Sequence, residues 1–317
     1  MMALRGLIAT EWGGLALIFV LGGIASALLS PSFFTEFNVY VMLRSAGVGI
    51  LVAFAQMIVL AVGQMSLAVG ALGGLVAVLF GAMLELLGLP LPIAIALALL
   101  IGIAGGLING ALTAGTGISG FIVTLASGSA FTGINLGLTQ SKPFHGIPPD
   151  FVAFGDARWG FMPALLWPPL MVAPLLAAFL YRLPPGRRLL AVGGNAHAAE
   201  LSGISPGAMI VLAHAISGGL AGLAAVLAVA QLGAAQPEIG NTWLLISFAG
   251  PIIGGASLNG GSVSILGAML AVLVIALIEN MLVLVKLDPY WVQFTLGALV
   301  LVTVGLNRWR AMHTVSS

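Results

Sequence analysis

Along the chain, long continuous apolar runs alternate with brief polar breaks. No charged residue lies between Glu11 and Glu36, Arg44 and Glu85, Glu85 and Lys142, Glu200 and Glu238, or Glu238 and Glu279. Each gap holds one or more runs close to the ~20 residues that cross ~30 Å of hydrocarbon as a helix. Backbone polar groups in lipid must be satisfied internally, so such runs become helices. A membrane barrel would instead alternate apolar and polar residues over ~10-residue segments. The pattern therefore predicts an all-α polytopic membrane protein with about ten transmembrane helices. They fall near 12–29, 39–62, 66–87, 91–113, 119–138, 161–181, 207–232, 243–257, 263–285 and 289–307, the eighth being short and interrupted by Pro251 and Gly254-Gly255. The whole chain, 1–317, reads as a single transmembrane domain with two longer polar loops. One covers 139–160, with Lys142, Asp150, Asp156 and Arg158; the other covers 182–206, with Arg182, Arg187, Arg188 and Glu200.

Composition closes off other classes. Of 317 residues, 60% are hydrophobic and 6% charged, against roughly a quarter charged in a soluble domain. Ten basic and nine acidic residues cannot cover a water-facing surface, which excludes a soluble enzyme. A net charge of +1 predicts no nucleic-acid partner. Cysteine is absent, so no disulfide or thiolate site can form. The run Trp12–Leu29, followed by Ser30-Pro31-Ser32, fits a retained helix at least as well as a signal peptide.

Lysine and arginine set the orientation. With ten spans and the N-terminus inside, the inner side receives Arg5, Arg182, Arg187, Arg188, Arg308 and Arg310, six in all. The outer side receives Lys142, Arg158 and Lys286, with Arg44 near its boundary, which makes four. Both termini are expected in the cytoplasm, with 182–206 cytoplasmic and 139–160 extracytoplasmic. Tryptophan favours headgroup level; Trp12 and Trp309 are expected at the inner interface, and Trp159, Trp243 and Trp291 at the outer. Small residues recur at four-residue spacing, as in Gly102, Gly106 and Gly110 and again in Gly218 and Gly222, which lets helices approach closely in lipid. There is also an internal echo. Residues 63–70 match 254–261 at Gly63, Ser66, Leu67 and Gly70, each segment falling at a break between spans. Broken, Gly-rich segments in both halves point to a substrate path.

The chemistry is sparse. Neither lysine is preceded by glycine, so there is no G-x-x-x-x-G-K-S/T loop and any ATP must be held by another subunit. Gly203-Ile204-Ser205-Pro206-Gly207 spells G-x-S-x-G, but it lies between two membrane spans rather than at a strand-to-helix turn, so it reads as chance. His145, His197, His214 and His313 have no ligand partners at i,i+4, and no metal site is supported. His214, inside a span, is expected to make an interhelical hydrogen bond. Polar residues within spans are costly. Gln56, Gln64, Ser66, Asn109, Asn135, Gln231 and Asn259 are candidates for a translocation path, with Asn280 and Gln293 also intramembrane. Glu279, two turns before Lys286, is placed for an ion pair with it or for snorkelling to the outer end. So little acid at mid-membrane argues against a proton- or sodium-coupled carrier.

The loop 182–206 carries the sharpest signal. Asn195 suits an N-cap, 196–202 are mostly helix formers, Gly203 suits the C′ position, and Pro206 opens the next span. The residues predict a short capped helix between two spans: an interfacial connector, or a lever fitting a partner's groove.

At this loop the chain resembles the permease subunits of sugar ABC importers, the family of ribose, xylose, arabinose and galactose permeases. The resemblance spans nearly the whole chain. It rests on 191–195 with 199–204, on 230–237, on 253–261, and on Gly120-Phe121-Ile122-Val123-Thr124-Leu125-Ala126. It implies a permease dimer, homomeric or heteromeric, standing on two cytoplasmic ATPase subunits that bind ATP and Mg, with a periplasmic or extracellular sugar-binding protein delivering cargo. This chain itself would bind no cofactor. The resemblance further implies the bacterial inner membrane, and a coupling role for Gly193, Gly194, Asn195, Ala199, Glu200, Ser202 and Gly203. The chain departs from the family at Ser66, where an acid is usual, around Trp243–Ser247, where acids are missing, and at Ser262-Val263-Ser264, which replaces a basic position. These departures bear on the cargo and on a divergent partner permease. The competing reading is a stand-alone secondary carrier or facilitator for a small polar solute.

Overall fold

The computed structural model describes residues 13–286 apart from 161, and beyond them positions 291, 294, 297, 298 and 301. The apolar runs form helices α1 (Gly13–Leu29), α2 (Glu36–Ala61), α3 (Val69–Glu85), α4 (Leu91–Thr116) and α5 (Gly120–Thr139). A short helix α6 (Pro149–Asp156) and a two-residue hairpin, β1 (Arg158–Trp159) and β2 (Met162–Pro163), precede α7 (Trp167–Arg182). Then come α8 (Pro184–Gly194), α9 (Ala196–Leu201), α10 (Pro206–Leu232), α11 (Trp243–Ile253) and α12 (Ile265–Leu284). By length and composition, six of the described stretches can cross a membrane: 36–61, 91–116, 120–139, 164–182, 206–232 and 265–284. Three more apolar helices, α1, α3 and α11, are shorter. The expected span at 289–307 lies largely outside the described residues, as do Trp12, Trp309, His313, Gln293 and the charges at 5, 308 and 310.

Helix ends follow local chemistry. Thr35, Ser205 and Ser264 each accept a hydrogen bond from the backbone N–H three residues on, at 3.4, 3.3 and 3.1 Å, which satisfies a donor the helix cannot. Glycines in the left-handed region end α4 at Gly117 (φ 69°) and α10 at Gly233 (φ 66°).

α2, α3 and α10 form the centre, and α4 packs most extensively on α10. That contact is made by the expected small residues. A Cβ on Gly218 would fall on the Gly102 carbonyl, and one on Gly106 on the His214 carbonyl. The two backbones touch where any side chain would hold them apart, and in lipid such packing drives helix association.

Two stretches of the centre are not helical. After α2 the chain turns at Gly63 (φ 76°) and folds back inward, so that Ser66 lies beside Gln56. Gln56 is five residues before the end of α2, about 7.5 Å at 1.5 Å per residue. From the other end, the stretch 233–242 descends along α3. Ala235 lies against Gly81, Ile239 against Gly74 and Gly240 against Gly70. At its top, Ala235 and Phe144 exchange backbone hydrogen bonds of 2.9 and 3.1 Å. The two inward stretches thus approach each other at Gly70 and Gly240, where a Cβ on either would fall on the other's carbonyl oxygen; Gly240 also has φ 94°. Non-helical backbone at membrane depth persists only where protein buries and satisfies it. Here local turns (Ile239 N–H to Gln236 O, 3.1 Å) and the Asn135 side chain donating to Pro237 O (3.0 Å) do so.

Several expectations change. The loop 139–160 is not a simple loop, since it holds α6 and the first strand of the hairpin, and the loop 182–206 holds α8 in addition to the expected short helix, α9. Trp243 packs inside the protein and presents little surface to headgroups. It starts α11, is 8% exposed, and lays its ring against Gly73. Trp159 is exposed, as an interface residue would be. Glu279 and Lys286 form no ion pair, because α12 ends at Leu284 and Lys286 has φ 57°, leaving the helical face the two would share. His214 is buried and its Nε2 has no hydrogen-bond partner among the described residues, so the expected interhelical bond is not made from that atom.

Candidate coupling and translocation site

The stretch 182–206 is the most structured polar segment. Proline at the start of α8 suits its first turn, where N–H groups lack partners in any case. Leu189 and Val192 of α8 are buried while Arg187 and Arg188 are exposed, so one face packs on the spans and the other faces outward. Asn195 is extended (φ −160°, ψ 101°), and its Oδ1 accepts from Ala198 N at 2.9 Å, capping α9. Ser202 closes α9, its Oγ donating to Ala198 O at 2.9 Å, and Gly203 turns the chain at φ 81°. Of the residues singled out here from the sequence, Ala199 is buried, Gly193 is half-buried, and Gly194, Asn195, Glu200, Ser202 and Gly203 are exposed. α9 thus has a buried foot, Ala199, and an outer face on which His197, Glu200 and Leu201 are exposed.

The seven polar residues singled out for a path divide into groups. At the coupling end, Gln56 is fully buried, and in the amide orientation that its neighbours select it donates to Ser66 O at 2.9 Å and accepts from Ser66 N at 3.2 Å. Ser66 Oγ accepts from Ala68 N at 3.3 Å, and Gln64 Oε1 accepts from Gly120 N at 3.1 Å. Asn259 is exposed in the break after α11. Further in, Asn135 and Asn109 are buried, each with Oδ1 unpartnered among the described residues. At the opposite end, Gln231 reaches Ser45 Oγ at 3.4 Å. The structure thus gathers Gln56, Gln64 and Ser66, sets Asn135 on the second inward stretch, and leaves Asn109, Gln231 and Asn259 apart.

Three further contacts were not foreseen from the sequence, although Asn280 was among its intramembrane polar residues. Thr124 Oγ1 accepts from Leu67 N at 2.9 Å and donates to Gly120 O at 2.6 Å, fixing the first inward stretch to α5; it belongs to the 120–126 segment already notable on the chain. Asn38 and Asn280 exchange amide hydrogen bonds of 2.8 Å between α2 and α12. Arg44 joins α2 to two other segments at the far end, donating to Gly155 O and Gln231 O, both at 2.8 Å, and pairing with Asp156 at 2.6 Å. Only the isolation of its charge at a span boundary marked it.

Between the first inward stretch and α5 runs an open groove of about 500 Å³, lined by Leu67, Ala71, Leu125, Ser129, Thr132 and Gly133, among others. The exposed face of α4 is Ile93, Leu97, Leu100, Leu107, Ile108 and Leu112, a surface for lipid. That of α5 mixes Ser129, Thr132, Gly133 and Gly137 into its apolar residues, with open space beside both glycines.

Long apolar helices around inward non-helical stretches, with the short capped helix α9 at one end, define a polytopic membrane protein. The chain belongs to the family described as branched-chain amino acid transport system, permease component, which matches residues 38–304. It is 34% identical over 307 residues to the D-allose transport system permease protein of Escherichia coli K12, covering 95% of this chain and 93% of that one. It is 32% identical over 293 residues to the ribose import permease protein of Bacillus subtilis 168 (92% and 90%). To the autoinducer 2 import system permease protein of Photorhabdus laumondii it is 28% identical over 291 residues (92% and 87%). No solved structure matches the chain. The resemblance to sugar-importer permeases drawn from the loop motif is borne out.

Proposed function

We propose that this chain is the membrane subunit of an ABC importer that moves a sugar or related polyol inward by alternating access. One observation carries the reading: the capped helix α9, with His197, Glu200 and Leu201 exposed, follows α8 in the connection between the apolar helices α7 and α10, at the same end as both breaks in the central helices. The names of the D-allose and ribose relatives supply the cargo class. With α1, α3, α11 and the segment 289–307 added to the longer helices, the chain forms about ten transmembrane segments in one domain, 1–317, with both termini cytoplasmic in a bacterial inner membrane. Two ATPase subunits binding Mg-ATP receive α9 from each of two permeases, and an extracytoplasmic binding protein delivers cargo to the 139–160 side. The hydroxyl- and glycine-bearing face of α5 lines the path between the permeases. Neutral hydroxyl and amide groups there exchange hydrogen bonds with a polyhydroxylated solute without holding it tightly.

The test is reconstitution of the chain with the ATPase that copurifies with it, using radiolabelled D-ribose and D-allose. Uptake that requires ATP hydrolysis is expected. Uptake undiminished without the ATPase would assign the stand-alone carrier instead.

A further inference from the structure

Between α8 and the two breaks, main chain packs directly on main chain. Four glycines from three distant stretches of sequence meet there. A Cβ on Gly193 would fall on the Ala61 carbonyl oxygen and 2.5 Å from the Gly261 nitrogen. A Cβ on Gly260 would stand 2.6 Å from Gly63 N and 2.8 Å from Gly193 O, and one on Gly261 would stand 2.7 Å from Gly194 Cα. Gly63, Gly260 and Gly261 all take left-handed φ values, 76°, 91° and 82°. The Gly261 N–H donates to Ala61 O at 3.1 Å and stitches the second break to the end of α2. Gly194 is the contrast: a Cβ there meets nothing within 4 Å.

Side chains between two elements can change rotamer and absorb a displacement. Main chain packed on main chain has no such slack. The first break continues into Gly70, which touches Gly240 of the second inward stretch, so a movement entering at Gly193 reaches both inward stretches through backbone contacts. Resting on the reading of 182–206 as the coupling segment, we propose that Gly63, Gly193, Gly260 and Gly261 are positioning residues of the transport cycle. They lock α8 to the breaks at 62–68 and 254–264, so that a displacement of α9 reaches both as one rigid body.

The experiment uses the full chain reconstituted with its copurifying ATPase, measuring radiolabelled D-ribose or D-allose taken up per ATP hydrolysed. Gly193→Ala is expected to lower this ratio about tenfold, with ATP hydrolysis retained. Gly63→Asn, which tolerates the left-handed φ and brings a Cβ to 3.1 Å from Asn259 O, is expected to lower it less. Gly115→Ala, on α4 and with nothing within 4 Å of the added Cβ, should leave it unchanged. Wild-type ratios in both junction variants, an equal loss in Gly115→Ala, or failure of both junction variants to assemble would each overturn the proposal. A second measurement needs no glycine change and uses the cysteine-free background. Spin labels on His197→Cys and Asn259→Cys should keep one mutual distance between nucleotide-free and ADP–vanadate states, while both shift relative to a label on Leu100→Cys, on the exposed face of α4. A changed distance between the first two, or no shift at all, would also overturn it. If the wild-type complex shows no ATP-driven uptake, the underlying reading fails instead, which is a separate outcome.

Discussion

Gln56 pairs with Ser66 as one strand pairs with another: its amide donates to the Ser66 carbonyl at 2.9 Å and accepts from the Ser66 N–H at 3.2 Å. A side chain thus supplies what a helix would otherwise give the backbone at this depth. Because Gln56 is fully buried, water cannot take over if it is lost.

Replacing Gln56 with Leu, similar in size but without the amide, is expected to leave both Ser66 groups unpaired. Each buried unpaired group costs about 1–3 kcal/mol, so the variant should lose about 2–6 kcal/mol. Ser66→Ala removes only a 3.3 Å acceptor for Ala68 N and should cost less than about 1.5 kcal/mol. Thermal unfolding of the detergent-purified proteins compares the two, and equal midpoints would refute the role given to Gln56.

The α4–α10 contact makes a second prediction. Gly218→Ala puts a methyl on the Gly102 carbonyl, whereas Gly115→Ala puts one where nothing lies within 4 Å. The first should destabilise by about 1–3 kcal/mol as an overpacked contact. The second should be neutral, or stabilise by up to about 1 kcal/mol, because Ala is the better helix former. Folded yield and melting midpoint of the single variants are the measurement. Comparable behaviour would show that the small residues on these helices do not set their spacing.

These cases also show what sequence can and cannot reveal. Apolar runs located the helices to within a few residues because the bilayer imposes one length and one backbone solution. Asn195, Gly203 and Pro206 marked α9 because capping is a local matter, settled within three residues. The inward stretch 233–242 was not legible. Its backbone is satisfied by Asn135, 102 positions away from Pro237, and although Gly70, Gly74 and Gly81 of α3 share one helical face, their spacing does not say that a non-helical stretch lies on it. α8 lies in a segment whose charges mark it as a polar loop, and Pro184-Pro185 does not prevent the helix because proline is well tolerated at a helix start. Gly193 and Gly194 are indistinguishable in sequence; only the fold shows that one is enclosed and the other open.

Arg44 makes three contacts of unequal weight. Its side chain is 19% exposed, while the paired Asp156 side chain is 63% exposed. Water screens that ion pair, and exposed pairs contribute less than about 1 kcal/mol. The bonds to Gly155 O and Gln231 O are charge-assisted and less exposed, worth about 1.5–3 kcal/mol each. Asp156→Ala should therefore be mild and Arg44→Ala severe, and Arg44→Lys should also be damaging, because an ammonium cannot reproduce the guanidinium fork. Limited proteolysis of 149–163 reads the result: faster cleavage in both arginine variants and near wild-type cleavage in Asp156→Ala is expected. The reverse order would mean that the ion pair dominates.

Asn195 separates the cap from the identity of the residue. α9 has six residues, too few to hold together by propensity alone, so its cap is a large share of what keeps it formed. Asn195→Ala removes the acceptor for Ala198 N, a loss of about 0.5–2 kcal/mol, enough to lower the folded fraction of a marginal helix several-fold. Asn195→Ser keeps a capping oxygen of comparable quality. In the reconstituted complex, Ala is expected to reduce ATP-driven sugar uptake several-fold and Ser to retain most of it, with equal amounts of chain in the membrane. If Ser fails as badly as Ala, the asparagine side chain makes a specific contact with the ATPase that capping does not explain. If both transport normally, α9 is held by its partner's groove and not by its own cap.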